Sequence, residues 1–427
     1  MLDIKRIREN AAAVKARLGL RGPAATAAAD ELLAADARWR TAIQSYEALQ
    51  AEKNRISREI GAKKKAGESA ADLMARSVQL SSELDATKGD ADARELAVRD
   101  LALRTPNLPH ESVPPGASAD DNPEVGRWGQ APAFTSPPRD HVALGTALGI
   151  LDFDAAAKVS GSGFVVYRGA GARLERALIN FLLDLHTREH GYTEISPPFI
   201  ILRDAMVGTG QLPKFEEDMY RVPDEGGDLF LAPTAEVPVT NLHREEILKE
   251  ADLPKRYAAY TPCFRREAGS YGKDTRGMIR MHQFDKVELV KIVHPDHSYD
   301  ELESLRRNAE TVLERLDLHY RTVLLCAGDM GFGAAKCYDI EVWAPGQNRF
   351  LEVSSCSNFE DFQARRMNLR FKGTDGKNRF CHTLNGSGTA LARLVVALLE
   401  TGQQPDGSVR LPQVLGPYLQ GELVIRN

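Results

Sequence analysis

The sequence has few cysteines and no long apolar run, and both features reduce the number of protein classes to which it could belong. Its 427 residues include only five cysteines, none of which form a Cys-x-x-Cys pair. An odd count without that spacing fits neither a disulfide framework nor a zinc ribbon, so we expect a reducing, cytoplasmic location. No uncharged stretch approaches the roughly 20 apolar residues that a membrane span needs, and we expect no membrane partner. The early charges at Lys5 and Arg6 predict that no secretory signal is present.

An excess of positive charge is also absent. Lys and Arg number 55 against 60 Asp and Glu, so the net charge is −5. This balance excludes a chain that binds nucleic acid over its whole surface, but it is compatible with a local basic site. With 43% hydrophobic and 27% charged residues, the composition is that of a globular protein. The length predicts about two or three domains.

The first quarter of the chain is poor in proline and follows a helical pattern. Apolar residues recur at spacings of three and four over residues 39–60 and again over residues 73–101. This is the period of a coiled-coil seam. Gly61 and Gly67 lie between the two series and predict a break in the helix. We therefore interpret residues 1–104 as a domain that carries a long antiparallel helical hairpin.

The predicted turn of this hairpin is basic. Residues 52–65 contain six basic and two acidic side chains. The basic ones are Lys53, Arg55, Arg58, Lys63, Lys64 and Lys65. A phosphate-binding tip and a solvated helix end with lysines near its last carbonyl groups both account for this charge. The charges alone leave that choice open.

A proline-rich segment separates this domain from the rest of the chain. Residues 105–140 hold eight prolines, which predicts a linker. Beyond it, patterns typical of strands and of helices alternate over residues 141–427. Strands are predicted at residues 164–167, 287–293 and 338–343, and helices at residues 174–190, 299–316 and 391–399. The mixture predicts an α+β fold with a mainly antiparallel sheet.

Several familiar motifs are incomplete. Residues 186–190 match the H-x-x-E-H zinc signature, but a chance match on an amphipathic helix is the better interpretation, and we expect no zinc. The glycine pairs at residues 161–163 and 169–171 open no dinucleotide fingerprint, and a P-loop is missing. Ser354 and Ser355 have no histidine nearby in the sequence, which argues against a serine nucleophile.

One segment stands above this background. Arg265 and Glu267 precede a glycine-rich basic loop, and Phe284 and Glu288 follow on a predicted returning strand. On a strand, a spacing of two residues places Arg265 and Glu267 on the same face. An exposed ion pair, a mobile hairpin and a core aromatic residue would explain the same pattern without a function.

This segment resembles motif 2 of the class II aminoacyl-tRNA synthetases, and the whole chain resembles the bacterial-type seryl-tRNA synthetase family. The supporting segments are residues 191–198, 210–215, 233–238, 328–332, 352–359 and 382–388, with Arg393. Each is weak alone, but together and in this order they are specific. The resemblance implies a catalytic domain over residues 141–427 with a mainly antiparallel sheet flanked by helices. It also implies that the N-terminal hairpin is a coiled-coil arm.

The resemblance implies an ATP-dependent ligase. The serine carboxylate attacks the α-phosphorus of ATP, and the seryl group of the resulting adenylate then passes to tRNA(Ser). No enzyme nucleophile is needed, because catalysis consists of positioning and of neutralising phosphate charge. ATP and Mg²⁺ are the implied cofactors. L-serine and tRNA(Ser) are the implied partners, and selenocysteine tRNA is a further implied acceptor.

The resemblance also implies roles for individual residues at the nucleotide. Arg265 and Arg393 are the implied catalytic residues: Arg265 would hold the α-phosphate and the reacting carboxylate, and Arg393 would cover the adenine and reach the γ-phosphate. Glu267 would read the adenine amino group, and Phe284 would stack on the ring. The implied ATP-binding set is Arg265, Arg266, Glu267, Phe284, Glu352, Val353, Ser354, Ser355 and Arg393. Of these, Glu352 and Ser355 match the metal position, and hard Mg²⁺ takes oxygen ligands.

The same resemblance places the amino acid. The implied serine-binding set is Thr234, Ala235, Glu236, Arg265, Glu288, Asn385 and Ser387. The segment at residues 234–236 would receive the α-amino group, and Glu288 would contact the hydroxyl. A site built to bind a hydroxyl rejects an analogue that lacks it by about 10⁴–10⁵-fold, which would exclude alanine, and the size of the pocket would exclude threonine. A surface ion pair with Lys286 would explain Glu288 without such a role.

The arm and the predicted helix at residues 174–190 also gain implied roles. The arm would lie across the tRNA and read the shape of its long variable arm, and the helix would form a homodimer interface. Three other interpretations remain: a ligase that loads a carrier protein, a non-catalytic RNA-binding paralogue, and a drug-resistant second copy. The arm weighs against the first. The presence of Arg265, Arg393 and Glu352 weighs against the second, and the sequence does not separate the third from a housekeeping enzyme.

Overall fold

The chain packs into two compact units, Met1–Pro106 and Asn107–Asn427. The computed structural model describes residues 1–268 and 277–427, so most of the predicted glycine-rich loop lies outside the described residues. Within those described ranges, we find no helix with the length and apolar character that a membrane crossing requires.

The first unit is helical, as predicted. Its helices are α1 (Ile4–Glu9), α2 (Ala11–Gly19), α3 (Pro23–Ala66) and α4 (Ala71–Arg104). Helices α3 and α4 pack against each other after a short turn, which confirms the long hairpin. The predicted break at Gly61 is wrong, because α3 continues through it. The helix ends at Gly67, whose φ of 73° lies in the left-handed region that favours glycine at this position.

The predicted seam holds the hairpin together. Ile56 on α3 and Leu80, Leu84 and Val98 on α4 are buried at seam positions. Arg76 also bridges the two helices, because its guanidinium lies 3.3 Å from the Glu52 carboxylate. Hydrophobic burial along one stripe therefore sets the packing of α3 against α4.

The basic tip coincides with the end of a helix. Lys63, Lys64 and Lys65 form the last turn of α3 and are exposed. Arg55 is also exposed, and its guanidinium pairs with Glu59 at 2.7 Å. The lysines oppose the negative end of the helix dipole and remain accessible to an anionic partner.

The second unit combines short helices with several sheets. In the described residues its helices are α5 (His141–Ala147), α6 (Phe153–Ser160), α7 (Ala170–Arg188), α8 (Arg203–Thr209), α9 (Glu236–Thr240), α10 (Ser298–Arg315), α11 (Phe362–Met367) and α12 (Leu391–Gly402). Its first strands are β1 (Glu124–Trp128), β2 (Leu151–Asp152), β3 (Val166–Tyr167), β4 (Thr193–Glu194), β5 (Ile200–Leu202), β6 (Arg221–Asp224), β7 (Gly227–Leu231), β8 (Ile247–Lys249) and β9 (Lys255–Phe264). The later strands are β10 (Gln283–Val293), β11 (Tyr320–Leu324), β12 (Lys336–Ala344), β13 (Arg349–Asn358), β14 (Arg370–Lys372), β15 (Asn378–Phe380), β16 (His382–Ala390), β17 (Val409–Arg410) and β18 (Val424–Ile425).

An eight-stranded sheet forms the centre of this unit. Its strand order is β1-β11-β12-β13-β16-β10-β9-β4, and each neighbouring pair is antiparallel except β4 with β9. The predicted α+β fold with a mainly antiparallel sheet is therefore confirmed. The segment 105–140, predicted as a linker, differs from expectation, because Glu124–Trp128 joins the sheet as its edge strand β1.

Helices α7, α10 and α12 pack against this sheet and build the main core. Their side chains Leu182, Leu313 and Leu394 are completely buried there. On β10 the alternation of the strand sends Val287 and Leu289 into this core. The intervening residues Lys286 and Glu288 therefore face the other side of the sheet, where the functional site lies.

The hairpin seam can be tested on one face of α4. Leu80 is fully buried, whereas Val78, two residues away, is 73% exposed. We expect Leu80→Ala to lower the free energy of unfolding of the first unit by about 2–5 kcal/mol, because it leaves a cavity between the helices. Urea unfolding followed by circular dichroism measures this loss. Val78→Ala is the matched control, and an equal loss in both variants would contradict the assigned seam.

Candidate active site

A cavity of about 330 Å³ lies on the side of β10 that carries Lys286 and Glu288, and core residues such as Val353 and Ala392 also line it. It gathers side chains from segments that are far apart in the sequence. The predicted residues that line it are Thr234, Glu236, Arg265, Glu267, Phe284, Glu288, Glu352, Val353, Ser355, Asn385, Ser387 and Arg393. The fold thus brings most of the predicted nucleotide and amino-acid sites into one space.

Three residues of the predicted ATP-binding and serine-binding sets do not line this cavity. Ala235 is fully buried at the start of α9. Ser354 is also buried, and its hydroxyl donates to the Ser387 carbonyl oxygen at 2.6 Å. The backbone N–H of Arg266 donates to the Asp218 carbonyl oxygen at 2.9 Å. In this arrangement these residues support the cavity wall.

Two irregularities in strand pairing shape the cavity. The pairing of β12 with β13 moves from Ile340–Ser354 to Glu341–Glu352, so Val353 is an extra residue. Glu352 and Ser355, three residues apart, would face opposite sides of a regular strand, and the bulge allows both to face the cavity.

The second irregularity lies on β16. Its pairing with β10 moves from Val287–Thr389 to Glu288–Ser387, which leaves Gly388 as the extra residue. A Cβ atom at Gly388 would lie 2.6 Å from His186 Nε2, so a larger residue would collide there. The bulge places Ser387 directly opposite Glu288.

The predicted reason for pairing Arg265 with Glu267 is wrong, although both residues line the cavity. Strand β9 ends at Phe264, so strand alternation does not align them. Glu267 instead adopts a left-handed φ of 50°. Its carboxylate accepts a hydrogen bond from Arg280 Nη1 at 3.0 Å, and the N–H of Arg265 donates to the His282 carbonyl oxygen at 2.9 Å. An irregular segment held by these bonds replaces the expected strand.

The two predicted catalytic arginines occupy different walls. The Arg265 guanidinium lies 5.2 Å from the centre of the Phe284 ring, a cation–π contact, and its Nε donates to the Pro233 carbonyl oxygen at 3.3 Å. Arg393, in the first turn of α12, donates to the Ile279 carbonyl oxygen at 3.2 Å. It also donates to the Glu352 carbonyl oxygen at 2.7 Å.

A buried ion pair forms the floor of the cavity. Lys286 and Glu288 are 6% and 1% exposed, and their charged groups pair directly. Lys286 Nζ also donates to the Thr234 hydroxyl at 2.8 Å, and Asn385 Nδ2 donates to Glu288 Oε1 at 2.9 Å. The Ser387 hydroxyl lies 3.5 Å from Glu288 Oε2. The surface ion pair considered for Glu288 is thus a buried one, and Lys286 is a site residue that sequence reasoning assigned no function.

Glu236 is a second buried carboxyl group in this cavity. Its Oε1 accepts a hydrogen bond from Gln363 Nε2 at 2.7 Å. Burial, followed by the nearby charge of Glu288, raises the pKa of Glu236 to about 7. Sequence reasoning missed Gln363, since only the folded chain brings it to Glu236.

The implied Mg²⁺ position can be tested against the side chains present. Glu352 and Ser355 offer oxygen ligands, and Asp339 lies opposite Ser355 on β12 and is hydrogen-bonded to it. Burial and the nearby charge of Glu352 raise the pKa of Asp339 well above its usual range. A hard divalent cation would relieve this repulsion, so the donor set fits Mg²⁺.

These oxygens do not form a complete protein cage. In the two described ranges of the chain, no group of three or more His, Cys, Asp or Glu side chains is arranged to hold a metal ion. A bound metal would therefore depend on substrate phosphates for its remaining ligands, as is usual for Mg²⁺.

The H-x-x-E-H segment begins in the last turn of α7 and continues past its end, and none of its residues lines this cavity. Its two histidines are in contact, with 2.9 Å between His186 Nδ1 and His190 Nδ1. Burial lowers the pKa of His186 to about 3. Glu189 pairs instead with Arg315 at 2.6 Å, so the carboxylate of the motif is used in a surface ion pair.

Comparison with known proteins agrees with this arrangement. Residues 1–109 match the family described as Seryl-tRNA synthetase N-terminal domain, and residues 220–402 match the tRNA synthetase class II core domain (G, H, P, S and T). The fold and the site thus define a class II aminoacyl-tRNA synthetase, a ligase.

Full-length relatives identify the family. The chain is 57% identical to the serine–tRNA ligase of Akkermansia muciniphila, covering 99% of each chain. It also resembles the crystal structure of seryl-tRNA synthetase from Pyrococcus horikoshii complexed with ATP, with 40% identity, a TM-score of 0.93, and 100% and 99% of the two chains covered. The cytoplasmic serine–tRNA ligase of Naegleria fowleri in complex with AMP is 28% identical, with a TM-score of 0.89 and the same coverage. The chain belongs to the serine–tRNA ligase family.

The raised pKa of Glu236 predicts a pH effect on stability. The folded protein holds this proton up to a pH of about 7, whereas the unfolded chain releases it near the ordinary value of 4.5. The contribution of Glu236 to stability therefore falls as the pH rises through this window and stays constant above it. Glutamine cannot ionise. As the pH rises across this window, we therefore expect the free energy of unfolding of Glu236→Gln to rise by about 3 kcal/mol relative to that of the original protein. Urea unfolding of both proteins between these pH values measures it, and a pH-independent difference would contradict the assignment.

Proposed function

We propose that the chain activates L-serine with ATP and transfers the seryl group to tRNA(Ser). The observation that carries this proposal is the cavity that places Arg265 and Arg393 beside the buried Lys286–Glu288 pair. Arginine forks suit phosphate oxygens, and the buried carboxylate suits a small hydroxyl group. Family membership supports the same reaction.

In the first step a serine carboxylate oxygen attacks the α-phosphorus. A bond forms between that oxygen and phosphorus, the bond from the α-phosphorus to the bridging oxygen breaks, and pyrophosphate leaves with the electron pair. Arg265 is proposed to bind the carboxylate and the α-phosphate together, which aligns them and neutralises charge. Its guanidinium is held near this point by the Pro233 carbonyl oxygen.

The adenine is proposed to lie between Phe284 and Arg393. Phe284 offers an aromatic face, and Arg393 a planar cation. Glu267 is proposed to accept a hydrogen bond from the adenine amino group in exchange for its present bond with Arg280.

Glu352 and Ser355 are proposed to hold Mg²⁺, with Asp339 orienting the Ser355 hydroxyl. When bound, the metal supplies positive charge to the phosphates and stabilises the leaving pyrophosphate. The contact of Arg393 with the Glu352 backbone keeps this strand next to the arginine.

The serine site is proposed at the buried ion pair. Glu288 has donors on both oxygens, and this fixes the carboxylate so that one remaining lone pair can accept from the serine hydroxyl. Alanine would leave the buried carboxylate without that partner, and the size of the pocket is proposed to exclude the extra methyl group of threonine. Glu236, with Thr234 beside it, is proposed to receive the ammonium group.

The second step moves the seryl group to the tRNA. A hydroxyl oxygen of the terminal adenosine attacks the carbonyl carbon of the adenylate and forms an ester bond with it. The bond from this carbon to the phosphate oxygen breaks, AMP leaves with the electron pair, and the hydroxyl proton passes to a phosphate oxygen or to water. The exposed Lys63, Lys64 and Lys65, together with Lys53, Arg55 and Arg58, are proposed to contact tRNA phosphates along the arm. We propose tRNA(Ser) as the acceptor, with selenocysteine tRNA as a second one, and the cytoplasm as the location.

A homodimer is proposed for the catalytic unit. Phe199, Ile200 and Leu202 follow helix α7 and the prolines at residues 197 and 198, and their side chains are 37%, 53% and 52% exposed. Adjacent exposed apolar side chains are typical of a surface covered by a partner. Sedimentation that shows a fully active monomer would exclude this assembly.

Charging of total tRNA by the purified protein tests the whole proposal. With ATP and Mg²⁺ we expect serine to be attached, and neither alanine nor threonine. Pyrophosphate exchange that depends on serine, without charging, would favour a carrier protein as the acceptor. Absence of both activities would favour a non-catalytic paralogue.

Replacement of Arg265 by lysine tests the arginine fork. A lysine keeps the charge but loses the planar pair of donors, so we expect kcat/KM for serine-dependent exchange to fall by about 10²-fold or more. Arg127→Lys is the matched control, since Arg127 also lies 5.5 Å from an aromatic ring, Phe350, and pairs with Glu124, on the edge strand. Equal rates for the two variants would contradict the assigned role.

Shortening the arm tests its role in tRNA recognition. Residue 40 lies in α3 and residue 95 in α4, on the two sides of the turn, so residues 41–94 can be replaced by a short glycine linker. We expect serine-dependent exchange to be retained and tRNA charging to be lost, because the catalytic unit keeps its own core. Unchanged charging by the shortened protein would refute the role of the arm.

A further inference from the structure

A buried histidine and a buried glutamate lie behind the cavity and contact one of its walls. His141 begins α5 and Glu400 lies in α12, and they are 1% and 0% exposed. Their side chains form a hydrogen bond, with 3.0 Å between His141 Nδ1 and Glu400 Oε1. Neither lines the cavity, and the mechanism above gives neither a role.

Glu400 is fixed by donors on both of its oxygens. Oε1 also accepts from the backbone N–H of His141 at 2.9 Å and from Gln347 Nε2 at 3.1 Å. Oε2 accepts from the backbone N–H of Gly346 at 2.9 Å. A carboxylate with this many donors is held in a single orientation, so Glu400 is a rigid anchor.

The anchor sets the proton position on His141. An ionised carboxylate only accepts hydrogen bonds, so Nδ1 of His141 carries the proton that it donates to Glu400. Nε2 is then the acceptor of the ring, and it lies 3.1 Å from the backbone nitrogen of Met278, which donates to it. The histidine thus links α12 to the chain segment that follows the glycine-rich loop.

Gly277 makes this close approach possible. Its φ is 77°, and a Cβ atom there would lie 2.2 Å from His141 Nε2. Only glycine combines this conformation with the available space. The segment is therefore built to bring a backbone N–H to the histidine.

Ile279, the residue after Met278, contacts the proposed catalytic side chain of Arg393. The Ile279 carbonyl oxygen accepts from Arg393 Nε at 3.2 Å, and both Met278 and Ile279 line the cavity. Arg393 and Glu400 belong to the same helix, α12. The helix and the segment are thus joined twice, once through His141 and once through Arg393.

We propose that His141 and Glu400 are positioning residues for the ATP half of the reaction. They fix the backbone at residues 278 and 279, and this backbone holds Arg393 in place against the nucleotide. This inference rests on the proposed function. Neither side chain touches the reacting atoms, so loss of the pair should weaken ATP binding while the serine site on β10 is retained.

The test is pyrophosphate exchange by the full-length protein and by His141→Phe. We expect the KM for ATP to rise about tenfold and the KM for serine to stay within about twofold. His141→Gln, whose side-chain oxygen can accept from Met278, should restore most of the ATP affinity. An unchanged KM for ATP in a folded His141→Phe variant, or an equal rise in both KM values, would overturn the inference. Absence of exchange in the unmodified protein would instead overturn the proposed function.

Two further variants guard against a purely structural effect. His319→Phe is the control, because this half-buried histidine also has one ring nitrogen bonded to the backbone, in its case to the Trp128 carbonyl oxygen at 2.6 Å, near the sheet edge. It should leave both KM values unchanged, and an ATP-selective rise here would overturn the inference.

Glu400→Gln keeps the shape of the anchor and replaces His141→Phe if that variant does not fold. We expect the same ATP-selective rise, and additive effects in the double variant would overturn the pairing.

Discussion

The buried pair of Lys286 and Glu288 is the interaction on which the proposed site depends. Removing two charges from water costs several kcal/mol per ion, and the mutual attraction offsets this only when the remaining hydrogen-bonding groups are satisfied. Thr234, Asn385 and Ser387 satisfy them here. The neighbouring strands are therefore constrained to present these polar groups, and the same groups form the proposed serine pocket.

The sheet provides the frame that makes this arrangement possible. Alternation along β10 separates the apolar core from the polar site within a single strand, since Val287 and Leu289 enter the core while Lys286 and Glu288 face the cavity. The bulges at Val353 and Gly388 then adjust the neighbouring strands by one residue. Regular strands would direct some of these polar side chains into the core, where they would lack partners.

Much of this fold could be predicted from local patterns. The seam of the hairpin, the alternation of β10 and the amphipathic helices are periodic patterns that extend over many residues. Such a pattern predicts the correct element even when its boundaries are misplaced by a few residues. Single-residue signals were less reliable. Gly61 predicted a break, but packing along α3 outweighs its weak helix propensity. The proline-rich segment contains β1 because its prolines flank the strand and leave the ladder intact.

The candidate site was predictable mainly through motifs, and its supporting contacts were not. Arg265 and Glu267 were found by resemblance, while the irregular segment that positions Glu267 depends on Arg280 and on the end of β9. Gln363 gave no sequence signal, because its contact with Glu236 joins distant parts of the chain, and Asp339 gave none, because its position opposite Ser355 depends on the register of β12 against β13. The sequence also does not predict the bulges, since a bulge depends on how two strands pair.

The most direct test of the central claim is the discrimination of serine from alanine by Glu288. The ratio of kcat/KM values in pyrophosphate exchange should be measured for the unmodified protein and for Glu288→Gln, with binding of ATP as a check of the folded site. We expect the original ratio to be about 10⁴–10⁵ and the variant to lose at least about 10²-fold of it, because the fixed carboxylate acceptor is gone. An unchanged ratio in a variant that still binds ATP would contradict the account.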